Sequence, residues 1–247
     1  MSRLICGLQP VREAIKAGAH EGALERVLVA AGDAVPQLDA LARYATDHGA
    51  TVERVSRAEL DRMAKGAHHQ GAIAVAADLA ILSLSELELG PEALVVALDE
   101  LQDPQNFGAV IRSSVALGAT AVMWPEHRSA PLSMATFRAS AGAVEHATLC
   151  RVGSLSDALT KLRASGLTVV GLDANATVEL ASLDLTGPVA LVVGAEGKGL
   201  RRTVKSACDQ LGKLPMRGPI ASLNASVAAA IALYEIARQR GAPSASK

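Results

Sequence analysis

The sequence predicts an α/β protein whose larger, carboxyl-terminal part is a parallel sheet covered by helices on both faces. Three observations predict it. From Leu94 onward, short apolar runs at residues 94–98, 121–124, 148–152, 168–172 and 189–193 alternate with helical patterns. Uninterrupted apolar strands separated by helices belong to a sheet buried on both sides. Half of the 247 residues are hydrophobic (50%) but only 2% are aromatic, so the core is aliphatic. Finally, Gly194, Gly197 and Gly199 follow the last apolar run, where a strand end needs a tight, bare-backbone turn.

The earlier part alternates differently. Residues 10–17 predict a helix and 26–30 a strand. Residues 35–48 predict an amphipathic helix with Leu38, Leu41 and Ala45 on one face. A strand at 51–55 precedes Ser56 and Glu59, which have capping-box spacing for another helix. A strand at 71–76 closes a small α/β domain, assigned to residues 1–77. Residues 78–92 lose periodicity and carry Asp78, Glu86 and Glu88, so they read as a linker with one helical turn at 83–86. Residues 93–247 form the second domain. Within it, helices are expected at 133–143 and from Ser154 to about residue 164.

The last helix, 222–240, carries two apolar stripes: Val227, Ala230, Ile231 and Tyr234, and Ala229, Leu233, Ile236 and Ala237. A helix apolar on most of its circumference is covered from more than one side. One stripe suits its own sheet, leaving the other for a partner chain.

Composition narrows the functional classes. A net charge of −1 argues against a broadly basic nucleic-acid binder, so RNA binding would depend on local patches. Candidates are Lys198, Arg201, Arg202 and Lys205, then Lys213 and Arg217, and Arg128 and Arg138. No apolar stretch reaches the roughly 18–20 residues of a membrane span. The start lacks a secretory pattern, and Cys6, Cys150 and Cys208 have neither disulfide nor zinc-ligand spacing. A cytoplasmic protein without membrane or metal is expected, and His68-His69 reads as a turn or an RNA contact.

Two clusters carry the chemistry. In the first, Asp103-Pro104-Gln105-Asn106-Phe107-Gly108 leads into a helix, with Pro104 keeping a loop extended and Asn106 placed to cap. Gly108 and Arg112 are four apart on that helix and share a face, which leaves room for a substrate beside the arginine. The second is Gly194-Ala195-Glu196-Gly197 with Gly199-Leu200, followed by Leu214-Pro215-Met216 and Ser222-Leu223-Asn224-Ala225-Ser226. Its glycine order differs from that of dinucleotide sites and P-loops, which disfavours an oxidoreductase.

Together these motifs resemble, in order and spacing, the SpoU family of RNA ribose 2′-O-methyltransferases in the SPOUT superfamily. Phe107 stands where many members carry leucine. The resemblance implies a carboxyl-terminal SPOUT domain with a trefoil knot, a small amino-terminal α/β RNA-binding domain and a homodimer. It implies S-adenosyl-L-methionine as cofactor, held by backbone at Gly194, Leu214 and Leu223. It places Asn106, Arg112, Glu196, Ser222 and Asn224 around the transfer point, with Arg112 activating the 2′-OH and Glu196 positioning Arg112 or the ribose. Ser222 and Asn224 would hold substrate or cap the last helix. The stretch 194–202 and His69-Gln70-Gly71 look nearest to enzymes acting on a guanosine of 23S rRNA. A tRNA, another rRNA nucleotide, or a non-catalytic RNA-binding role are the alternatives.

Overall fold

The computed structural model describes residues 2–18, 24–32, 35–219 and 222–241. In chain order, the first elements are β1 (Ser2–Cys6), α1 (Leu8–Gly18), β2 (Leu24–Ala30), α2 (Pro36–Asp47), β3 (Val52–Val55), α3 (Arg57–Ala64) and β4 (Ala72–Ala77). There follow β5 (Ile81–Leu82), β6 (Leu94–Asp99), α4 (Pro104–Ala116), β7 (Ala121–Pro125), α5 (Met134–Ala139) and β8 (Leu149–Val152). The last are α6 (Leu155–Ala164), β9 (Thr168–Leu172), β10 (Val178–Glu179), β11 (Val189–Gly194), α7 (Arg202–Ala207), β12 (Gln210–Lys213) and α8 (Ala225–Gln239). They form two compact units: Met1–Ala80 with Leu132–His146, and Ile81–Pro131 with Ala147–Lys247.

The first unit has a four-stranded sheet ordered β1-β4-β2-β3. Strand β4 runs antiparallel to both neighbours, and β2 pairs with β3 in parallel. Alternation along β2 explains its coverage. Val27 and Val29 pack under α1 and α2 with Val11, Ile15, Leu38 and Leu41, while Leu28 packs with Leu60 of α3. Buried on both faces, β4 is apolar throughout. Ser56 caps α3 by accepting the Glu59 N–H at 3.2 Å. The His69 imidazole is buried; its Nδ1 accepts the Gly71 N–H at 3.1 Å, so Nε2 carries the proton toward Asp61 Oδ1 at 2.9 Å. His69 therefore shapes the turn into β4, and only His68 is exposed.

The segment 132–146, read from sequence as part of the larger domain, packs with this first unit. The Arg3 guanidinium pairs with Glu145 (Nη1 to Oε1, 2.7 Å) and His146 Nε2 meets Glu13 at 3.0 Å. A side chain on Gly142 would lie 2.8 Å from Glu13 Cβ and 3.0 Å from Pro10 Cα. The helix expected over 133–143 is shorter: α5, capped by Ser133, then a 3-10 turn at Ala143–His146.

The second unit is an eight-stranded sheet in the order β10-β12-β9-β11-β6-β7-β8-β5, with every pairing parallel. Helices α6 and α7 bury Leu155, Leu159 and Val204 on one face, against Val95, Val169 and Val192. On the opposite side α4 packs on β7 and α8, and α8 packs on β11. The stretch read as linker is partly structural: Ile81 and Leu82 pair with β8 as the outer strand, and Leu84, Leu87 and Leu89 pack on the core. Its helical turn forms at Leu84–Glu86, closed by the Ser83 and Glu86 side chains.

One local expectation is corrected. Asp103, not Asn106, caps α4, accepting the Gln105 N–H at 3.0 Å, and Pro104 occupies the first helical turn. Proline suits that position because its missing N–H would lack a helical acceptor anyway. Asn106 is thereby inside the helix, buried, with its amide free for other partners.

Candidate active site

Three adjacent parallel strands, β12, β9 and β11, end at one edge of the sheet. Ligands of open α/β sheets bind beyond the carboxyl ends of strands. Here the loops after β9 (172–175), β11 (194–199) and β12 (214–216), together with the start of α8, enclose a cavity of about 240 Å³. Leu172, Val193, Leu214, Leu223, Ala225 and Ala228 supply apolar walls, while Asp173, Asn175, Glu196 and Ser222 supply polar groups.

The glycine turn is built from backbone. Gly199 N–H donates to Ala195 O at 2.9 Å, and Gly197 and Gly199 take φ of +75° and +64°, which side chains disfavour. Gly194 has a different reason for being bare. A Cβ there would sit 2.3 Å from the Gly199 carbonyl carbon, so it is the turn itself, not a ligand, that excludes a side chain. Behind the turn, the wholly buried Asp99 lies in register with Gly194 and accepts from Arg201 N–H at 2.8 Å and Arg201 Nε at 2.7 Å. Arg201 also reaches Glu100 at 3.1 Å, which meets Arg128 at 3.2 Å.

The expected site residues divide into three groups. Gly194, Leu214, Leu223, Glu196 and Ser222 line the cavity. Asn106 and Asn224 stand behind it in one hydrogen-bonded chain. Asn106 Nδ2 donates to Glu196 Oε2 at 3.2 Å, and its Oδ1 faces the Ser226 hydroxyl at 3.2 Å. A carboxylate only accepts, so Glu196 fixes which way the Asn106 amide points. Asn224 caps α8, its Oδ1 accepting Ser226 N–H at 2.9 Å and the Ser226 hydroxyl at 2.6 Å. Arg112 stands apart: it is exposed on α4, has no ion pair or hydrogen bond among the described residues, and does not line the cavity. Within one chain Glu196 meets Asn106 and not Arg112.

The cationic patch is also redistributed. Arg201 is consumed by Asp99, and Lys205 pairs with Asp173. Partial burial works against the Asp173 carboxylate, but the hydrogen bonds from Lys205 and the Asn175 N–H outweigh it and hold its pKa below the ordinary value. Lys198 and Arg202 remain exposed. Asp173 and Asn175 are cavity residues that sequence reasoning missed, and Lys205, read there as part of an RNA-binding patch, lines the cavity paired with Asp173. The signal was Leu172-Asp173-Ala174-Asn175, a turn-forming group directly after a parallel strand.

The SpoU rRNA methylase family matches residues 93–234, and the RNA 2′-O ribose methyltransferase substrate-binding family matches residues 4–81. The chain belongs to the SpoU family. Among its SpoU-type relatives, a Mycobacterium sp. (strain KMS) protein described as a tRNA/rRNA methyltransferase is 42% identical, covering 97% of this chain and 77% of its own. A solved RNA 2′-O ribose methyltransferase superposes with a TM-score of 0.80 at 32% identity, covering 97% and 89% of the two chains. The SpoU methyltransferase AviRb from Streptomyces viridochromogenes, solved in complex with S-adenosylmethionine, gives a TM-score of 0.79 at 27% identity, covering 98% and 92%. The larger unit thus has the SPOUT methyltransferase fold.

Proposed function

We propose that this protein methylates a ribose 2′-OH of RNA using S-adenosylmethionine, and that the target is a guanosine of 23S rRNA. The carrying observation is the cavity beyond β9, β11 and β12, with Glu196 held at its mouth by Asn106. Its residues fit the cofactor. Apolar walls suit adenine, Gly197 and Gly199 offer backbone with no side-chain obstruction, and the carboxylates of Asp173 and Glu196 suit a cationic sulfonium. Gly194, Leu214 and Leu223 would hold it through their backbone. S-adenosylmethionine supplies a methyl carbon on a good leaving group, so the protein's work is alignment and proton removal.

Alignment can contribute up to roughly 7–11 kcal/mol in well-oriented reactions. Glu196 and Ser222 face the cavity and orient the ribose; Asn106 and Asn224 hold the loop and helix that carry them. Arg112 binds a phosphate and stabilises charge developing on the 2′ oxygen. A guanidinium donates hydrogen bonds and has no acceptor, so the proton passes to a carboxylate or to water.

The position of Arg112 points to a second copy. Beside it, Ala109 and Ser113 of α4 join Val227, Ile231 and Tyr234 of α8 in an exposed apolar hollow, with Tyr234 61% exposed. We assign this face to a homodimer, which would carry Arg112 toward the partner's cavity. No helix among the described residues is long and apolar enough to cross a membrane, and no group of His, Cys, Asp or Glu among them could hold a metal. A cytoplasmic location is proposed from the ribosomal RNA substrate itself.

The test is to incubate the purified protein and S-adenosylmethionine with rRNA and tRNA from a deletion strain and to map 2′-O-methyl groups by mass spectrometry. One new 2′-O-methylguanosine in 23S rRNA is expected. Modification of tRNA alone would move the substrate, and no methyl transfer to either would overturn the reading.

A further inference from the structure

A second cavity, of about 340 Å³, lies wholly within the first unit. Its floor is apolar, with Ile5, Pro10 and Phe137, and its rim carries Lys65, His68 and Arg138. All three rim groups are exposed, and none makes an ion pair or hydrogen bond among the described residues. That sets them apart from nearby charges that are neutralised: Arg3 by Glu145 and Lys16 by Glu13. Phe137 is one of two phenylalanines in the chain; the other, Phe107, is buried in the second unit. The Phe137 ring is half-buried, with the Arg3 guanidinium 5.6 Å from its centroid.

We propose that this cavity holds one nucleotide of the RNA substrate, its base against Phe137 and Pro10 and its phosphates between Lys65 and Arg138. The proposal rests on RNA being the substrate and names where the first unit grips it. A protein with net charge −1 has no general attraction for a polyanion, so unpaired cations grouped around an apolar floor are what phosphate and base together would select. The site is composite. The substrate-binding family match ends at residue 81, whereas Phe137 and Arg138 come from α5 within the methylase match and fold back onto the first unit through Gly142, Glu145 and His146.

The experiment measures anisotropy of a fluorescein-labelled, mixed-sequence single-stranded RNA titrated with the full-length protein across a salt series. Removing two phosphate contacts in Lys65→Ala/Arg138→Ala should weaken binding roughly tenfold or more and flatten the slope of log K against log salt by about 1.4, at about 0.7 per contact. Phe137→Leu, which keeps an apolar side chain but loses the ring, should weaken binding about tenfold and leave the slope unchanged. Arg43→Ala removes one positive charge from α2 outside the cavity and should change neither affinity nor slope. Wild-type affinity in the double variant, or an equal loss in Arg43→Ala, would overturn the proposal. Calorimetric binding of S-adenosylmethionine, measured on the same samples, separates the readings. Its absence in wild type would defeat the methyltransferase reading, while normal cofactor binding with unaltered RNA affinity in the double variant would defeat only this one.

Discussion

The cavity beyond β9, β11 and β12 is walled by backbone and, Lys198 apart, by charged groups already held within the fold, whereas the cavity beside α5 is rimmed by long cations with no partner among the described residues. In the first, Asp99 fixes Arg201, Asn106 fixes Glu196, and Gly194 packs on the Gly199 carbonyl. Such a wall has one shape and suits a small ligand of one shape. In the second, Lys65 and Arg138 keep their rotamer freedom and lose it only on meeting phosphate. That suits a flexible polyanion, with affinity tuned by salt. On the two proposals above, one chain separates the recognition of a small methyl donor from the capture of RNA.

Arg112 belongs to neither wall, and its removal gives the largest expected effect. Arg112→Ala should lower turnover on RNA by about 10²–10³-fold, as loss of a charge-stabilising group does. Its S-adenosylmethionine affinity and its denaturation midpoint should match wild type, because the side chain is exposed and makes no ion pair or hydrogen bond among the described residues. Wild-type turnover would remove it from the mechanism.

Next comes the rigidity of the first wall. Asp99→Ala strands Arg201, and breaking a fully buried pair costs about 3–5 kcal/mol. Arg201 is 37% exposed and can recover water, so a loss of about 2–3 kcal/mol is expected in urea unfolding, with weaker cofactor binding. A change below about 0.5 kcal/mol would show that the turn holds its shape without Asp99.

The anchoring of the second cavity gives a smaller effect. Gly142→Ala places a methyl group 2.8 Å from Glu13 Cβ at a φ of +89°, so about 1–3 kcal/mol of destabilisation is expected. RNA affinity should fall while cofactor affinity holds. Intact RNA binding would mean that α5 need not stay docked.

The smallest effect is a shifted titration. The folded-state pKa of Asp173 is depressed, so its contribution is present above the unfolded value of about 3.9 and is lost as pH falls through the lower folded value. Cofactor affinity followed calorimetrically should hold as pH falls toward 4. In Lys205→Ala the decline should begin at higher pH, because the principal hydrogen bond opposing protonation is gone. Superimposable profiles would assign the Asp173–Lys205 pair to the loop alone.

The inner strands of the larger sheet were legible because burial on both faces leaves an unbroken apolar run, as in β6 and β11. The last helix was legible through its two stripes: Ala229, Leu233 and Ile236 are buried, and Val227, Ile231 and Tyr234 are exposed. Edge strands escaped notice. Ile81–Leu82 and Val178–Glu179 have two residues each, too few for any period, and β12, one strand in from the edge, reads Gln-Leu-Gly-Lys with no apolar run. The cap of α4 was misplaced because Asp103 and Asn106 are both good caps, and Pro104 was the residue that decided between them. The docking of 132–146 rests on Gly142 meeting α1, a contact over a hundred residues apart that local sequence does not encode.

The most direct measurement is a calorimetric titration of S-adenosylmethionine into the wild-type protein and into Leu223→Trp, which enlarges a partly exposed cavity wall without disturbing the core. Saturable binding at one site per chain in wild type, abolished in Leu223→Trp, is the predicted result. Absence of binding in wild type, or equal affinity in both proteins, would contradict the placement of the methyl donor in this cavity.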